Sequence, residues 1–173
     1  MSDLAIVVVT HDSAHELEAC VNSVLSHRGG ADTSITVCDS GSSDDVEQVA
    51  DRLPVRFLPG PNRGFSAACN RGLAASADSR YVLFLNPDAR IVDGSLSRLL
   101  DECDRRPSAG IVAVRLVDQH GDLLHNMGLP ATPAQFWKMA RTGWGQWDWE
   151  TTHYEAERAC AWDVAVYIRS SRP

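Results

Sequence analysis

The chain has 173 residues, 44% of them hydrophobic, which is enough for one substantial core and short for two independent domains. Its net charge of −7 argues against a general binder of nucleic acid or anionic membrane, because such partners need a basic surface. Any phosphate must be handled locally, and with Lys138 as the only lysine that work falls to arginine and its planar bidentate fork.

The first element is LAIVVVT, Leu4 to Thr10, a continuous β-branched run typical of a strand covered on both faces in a parallel sheet. From Ala14 to His27, apolar residues at Leu17, Val21, Val24 and Leu25 follow helical spacing. Ser13 is the expected N-cap, with Glu16 completing a capping box. SITVC (Ser34 to Cys38) reads as a second strand, DSGSSDD as a turn capping a helix from about Val46 to Arg52, and VRFL (Val55 to Leu58) as a third strand. PGPNRG breaks the chain before an alanine-rich helix from Phe65 to Ala77. YVLFL (Tyr81 to Leu85) is the fourth strand, and a helix from about Ser95 to Arg105 carries Leu96, Leu99, Leu100 and Cys103 on one face. GIVAVRLV (Gly110 to Val117) and DLLHNM pair across a QHGD turn. LPATPAQFWKMARTGWGQWDWETTHYE is a cover segment with a short helix near Gln135 to Arg141, and CAWDVAVYIR is a last strand.

This alternation predicts an α/β fold with a mainly parallel sheet, whose ligands bind outside the carboxyl ends of the strands. THDS, DSGSSDD, PGPNRG and NPDAR all follow strands. The five cysteines, without a CxxC pair, read as reduced structural thiols. MSDLAIVVVT lacks the basic leader of a signal peptide, and no run reaches the roughly 20 apolar residues of a membrane span. A soluble cytoplasmic chain is expected, and a seat beside a membrane is compatible with that.

Each motif has two readings. Asp39, followed by Ser40 and other small residues, either accepts hydrogen bonds from a ribose hydroxyl or base imide, or makes a turn that caps the next helix. Thr10 and Asp12 lie at the same edge, where Asp12 could equally be capping chemistry and His11 a surface residue. Arg63 and Gly64 at the start of a helix, with Asn70 about two turns along, form either an anion site or a turn with tight packing. NPDAR is the sharpest. Pro87 stiffens the backbone ahead of Asp88, whose carboxylate suits Mg2+ or Mn2+ shared with a diphosphate and water. Its use as a cap is less natural, because the next helix starts several residues later. The absence of GxGxxG and of GxxxxGK[ST] removes support for dinucleotide and P-loop folds.

In order, IVVVTHDS, VCDSGSSDD, NRGFSAACNRG, YVLFLNPDARI and VRLVDQHGDLL resemble glycosyltransferase family 2, with the rhamnosyltransferase-like branch closest in look. The resemblance implies a GT-A-type, Rossmann-like three-layer sandwich. Residues 1–127 would form the nucleotide-sugar-binding core and 128–173 a partial acceptor-side cover of the same domain. It implies nucleotide contacts from Thr10, Asp12, Asp39, Ser40, Arg63, Gly64 and Asn70, with Asp88 as the metal-binding acid. Asn86 would stand in the donor site in place of a first acid. The implied reaction moves a sugar, with inversion and with Mg2+ or Mn2+, from a UDP- or dTDP-linked donor to a glycan or lipid-linked acceptor. Peripheral membrane association and a partner chain are compatible with it. The acidic motif that carries the family's base is expected beyond the CAWDVAVYIRSSRP segment and is not found before Pro173. The catalytic base is therefore unassigned, Glu155, Glu157 and Asp163 are weak substitutes, and a shortened donor-binding fragment is the competing expectation. The tryptophans from Trp137 to Trp149 serve either core packing, the more frequent use, or an acceptor platform.

Overall fold

The structure, a computed structural model, describes residues 2–92, 94–112, 114, 116–117, 123–124 and 165–168. Two compact units divide the chain, one of Met1–Val114 with Val164–Pro173 and one of Arg115–Asp163.

In the larger unit, β1 (Leu4–Thr10), β2 (Thr33–Asp39), β3 (Arg56–Leu58) and β4 (Tyr81–Leu85) are parallel. They are connected through α1 (Ala14–His27), α2 (Val46–Ala50) and α3 (Phe65–Ala75), and α4 (Ser95–Arg105) follows β4. Two further short strands, β5 (Ile111–Val112) and β8 (Ala165–Ile168), complete a sheet of order β3-β2-β1-β4-β8-β5, with β8 antiparallel to both neighbours. The smaller unit contributes a hairpin of β6 (Leu116–Val117) and β7 (Leu123–Leu124), with Leu116 opposite Leu124.

Every residue of β1 is buried, as its unbroken apolar run requires of a central parallel strand. Ala5, Val7 and Val9 point to one face and pack with Cys38, Val82 and Ala68, flanked by Leu58, Leu73 and Phe84. Here α3 approaches so closely that a Cβ on Gly72 would sit 2.3 Å from Val7 Cγ1, so this position excludes even alanine without a shift. Full burial of a Val, Leu or Ile contributes roughly 1.5–3 kcal/mol, against roughly 1 kcal/mol for a helix cap. Burial along β1 therefore outweighs end effects in fixing the sheet. On α4 the expected stripe is present, with Leu96, Leu99 and Cys103 buried.

Strand order places the site. From β1 the sheet grows through β2 to β3 on one side and through β4 on the other, so β1 and β4 flank the point where the order reverses. A crevice opens there at the carboxyl ends.

Two local expectations are corrected. Ser13 does not cap α1 through its side chain; its hydroxyl donates to the His11 carbonyl at 2.9 Å. The Asp44 carboxylate takes the Ala14 N–H instead, at 2.8 Å, and Glu16 turns to Arg90 rather than closing a capping box. A full carboxylate from the neighbouring loop is the better acceptor at the positive end of a helix. The single strand expected over Gly110 to Val117 is divided: β5 pairs with β8, far along the chain, while β6 pairs with β7. The helix expected near Gln135 to Arg141 and the boundary expected after residue 127 lie outside the described residues.

Candidate functional site

A cleft of about 620 Å³ lies at the carboxyl ends of β1, β2 and β4, a size that suits a small-molecule ligand. Of the residues expected to bind, Ser40, Asn86 and Asp88 line it, together with His11, Glu16, Asn62 and Phe65. Thr10, Asp12, Asp39, Arg63, Gly64 and Asn70 do not line it.

Thr10 and Asp39 are buried at the strand ends, next in sequence to the lining residues Val9 and Ser40. The Thr10 hydroxyl donates to Asp39 Oδ1 at 3.1 Å, and Asp39 Oδ2 accepts the N–H groups of Gly41 (3.0 Å) and Ser42 (3.1 Å). The Ser42 hydroxyl also donates to Oδ1. Four donors occupy the lone-pair sites of this carboxylate, so its turn-making role is fully realised. Arg71, on α3, adds a bond to the Asp39 carbonyl.

Asp12 clasps the neighbouring loop, accepting the Ser43 N–H at 2.7 Å and its hydroxyl at 3.0 Å, while its own N–H donates to Ser42 Oγ at 2.9 Å. The Ser43 backbone bond, foremost, holds the Asp12 carboxyl below its ordinary value. Ser40 reaches Asn62 Oδ1 at 3.4 Å, which also accepts the Gly64 N–H at 3.0 Å, and the Asn62 amide lies 3.4 Å from His11 Nε2. Gly64 adopts φ 85° and ψ 164°, a conformation open essentially to glycine alone, as the N-cap of α3. Arg63 and Asn70 are exposed, and their side chains make no hydrogen bond or ion pair with the other described residues.

The NPDAR turn is anchored from α1. Cys20 Sγ donates to the Asn86 carbonyl at 3.5 Å, and burial pushes this thiol up to about 12, so it stays a protonated donor at neutral pH. Ala89 N–H closes the turn on Asn86 O at 3.1 Å. Asp88 is exposed at the rim and makes no hydrogen bond or ion pair with the other described residues. A free carboxylate beside an open cleft fits a Mg2+ or Mn2+ ion, which takes one or two protein carboxylates and fills its shell with phosphate oxygens and water.

The resemblance includes Asn62 and Phe65 within NRGF, expected to close over the donor, and both line the cleft; Glu16, which the sequence assigns to a cap, is the lining residue that reading missed. Glu155, Glu157 and Asp163 lie outside the described residues.

A mainly parallel sheet with a cleft at its switch point defines an α/β fold. The chain belongs to glycosyl transferase family 2, whose sequence profile matches residues 5–170. No curated protein sequence matches it. Among solved structures it is similar to residues 1–349 of S. aureus TarS in complex with UDP, at 21% identity and TM-score 0.56, over 68% of this chain and 38% of that one. It is likewise similar to the mannosyltransferase PcManGT from Pyrobaculum calidifontis in complex with GDP-Man and Mn2+, at 20% identity and TM-score 0.57, over 68% and 36%. These likenesses establish the GT-A fold, and the match spans under two fifths of either structure.

Proposed function

We propose that this chain binds a nucleoside-diphosphate sugar, UDP- or dTDP-linked, and transfers the sugar with inversion to a glycan or lipid-linked acceptor, in the manner of the rhamnosyltransferase-like branch. The observation that carries the reading is the meeting of Ser40, from the turn behind β2, with Asn86 and Asp88, from the turn behind β4, in one cleft. Family membership supplies the reaction class.

In this reading Asp88 is the protein's ligand to Mg2+ or Mn2+, with the Asn86 turn setting its position. The ion, when bound, supplies Lewis-acid stabilisation to the leaving diphosphate. Phe65 lines the cleft at the start of α3, whose first-turn amides and dipole favour the same anionic group, with Arg63 close in sequence. Thr10, Asp12 and Asp39 brace the loop that carries Ser40 into the cleft. Work in the cytoplasm, with contact to a membrane only through the acceptor, is part of the proposal. No helix among the described residues is long and apolar enough to cross a membrane.

Calorimetric titration of UDP and dTDP with and without Mn2+ tests this. Binding should be metal-assisted, and Asp88→Ala should remove the metal-dependent part. Metal-independent binding that Asp88→Ala leaves unchanged would overturn the assignment. Sugar transfer or donor hydrolysis above a no-protein control would then show turnover.

A further inference from the structure

Arg90 lies two residues from the exposed Asp88 and does not pair with it. Its Nη1 donates to the carbonyls of Pro87 (3.0 Å) and Ala89 (2.9 Å), and its Nη2 to the Glu16 carboxylate. The two carbonyls belong to the residues on either side of Asp88, so one guanidinium grips the backbone before and after the acid.

The grip continues into α1. Glu16, Cys20 and Ser23 stand at i, i+4 and i+7 on one face of that helix, and each holds the turn: Glu16 through Arg90, Cys20 through the Asn86 carbonyl, and Ser23 by accepting the Ile91 N–H at 3.0 Å. Arg90 and Glu16 are both about one-third exposed on their side chains, so their pair contributes little to stability. Its consequence is local. The positive charge is engaged by Glu16 and the carbonyls, and Asp88 is left unpartnered at the rim of the cleft.

We propose that Arg90 is a positioning residue for Asp88: it shapes the turn around the acid, and Glu16 keeps its guanidinium from neutralising that acid. The inference rests on the reading of Asp88 as the ligand to a divalent cation. Lysine cannot replace Arg90, because one ammonium lacks the planar fork that spans two carbonyls and a carboxylate.

UDP affinity measured with and without Mn2+ separates the metal-dependent gain from the metal-free affinity. Arg90→Lys and Glu16→Gln should each cut the gain by about tenfold, the lower end of losses for residues that orient a metal ligand. Metal-free UDP affinity should stay at the wild-type value in Arg90→Lys, whose side chain is not among those lining the cleft. Glu16→Gln keeps both turn carbonyls available to Arg90, so it still reads the site if Arg90→Lys folds poorly. If Asp88→Ala abolishes the gain while Arg90→Lys and Glu16→Gln retain it, the positioning role is overturned and the cation reading stands. If Asp88→Ala itself retains the gain, the cation reading fails and this inference with it. A parallel fall in the metal-free affinity of Arg90→Lys would mark general damage to the cleft and would also overturn the proposal.

Discussion

Thr10 and Asp39 are register partners at the ends of β1 and β2, and the Thr10 hydroxyl donates across that pairing to the Asp39 carboxylate at 3.1 Å. Both are buried, Asp39 being only 6% exposed, so the bond ties β1 to β2 where the two central strands stop.

Asp39→Ala strands the N–H groups of Gly41 and Ser42 and two hydroxyls at once. Donors left without an acceptor cost about 1–3 kcal/mol each when buried and less where water reaches them, so a loss of roughly 3 kcal/mol is expected. Thr10→Val removes one donor and keeps the shape, leaving Asp39 three partners, and should cost about 1 kcal/mol. Urea denaturation at unchanged slope measures both. Equal losses would show that the shared carboxylate is not the centre of this network.

Asp12 is the only non-glycine among the described residues with a positive φ, 51°, a conformation that aspartate and asparagine tolerate better than other side chains. Asparagine there keeps the backbone and removes the charge. Since the Ser43 N–H holds the folded carboxyl below its ordinary 3.8, the charge-dependent stabilisation is present in full above that value. It is lost as pH falls through the lower folded value. The stability difference between wild type and Asp12→Asn should therefore be constant well above 3.8 and shrink as pH falls below it. A difference that holds its size through that window would contradict the Asp12 to Ser43 bond.

Elements written in local periodicity were legible before any coordinates. The β1 run, the Leu17, Val21 and Val24 stripe of α1, β4 and the Leu96, Leu99 and Cys103 face of α4 fall where their spacing predicts. Pairing between distant segments was not legible. A strand at Ala165–Ile168 could be read from alternation, but its insertion between β4 and β5 depends on partners more than fifty residues away, and the same insertion splits the strand expected over Gly110 to Val117. The cap of α1 failed for a related reason, since Asp44 arrives through the fold, thirty residues along, and displaces the neighbouring Ser13. In the site, the strand-end rule found the turns carrying Ser40, Asn86 and Asp88. It could not tell that Thr10 would be bonded to Asp39, Asp12 to the neighbouring loop and Asp39 to its own turn.

Asn62 ties three of these loops together and gives the last prediction. Its Oδ1 accepts the Gly64 N–H and the Ser40 hydroxyl, so its amide nitrogen is left to donate to His11 Nε2. The loops meet so closely that a Cβ on Gly41, already at φ 72°, would lie 2.9 Å from the Asn62 nitrogen. Two of the three bonds are exposed and the third, from Ser40, is long at 3.4 Å, so Asn62→Ala should cost no more than about 1 kcal/mol of global stability. Its effect should fall on the cleft. UDP affinity is expected to drop about tenfold, or roughly 1.4 kcal/mol, and the Gly64 amide should exchange with solvent faster. Asn62→Asp keeps both bonds to the oxygen and loses only the donation to His11, so its affinity should lie between the two. Hydrogen exchange reads the loop without any ligand, and wild-type exchange at Gly64 in Asn62→Ala would remove Asn62 as the fastener whatever the binding data showed.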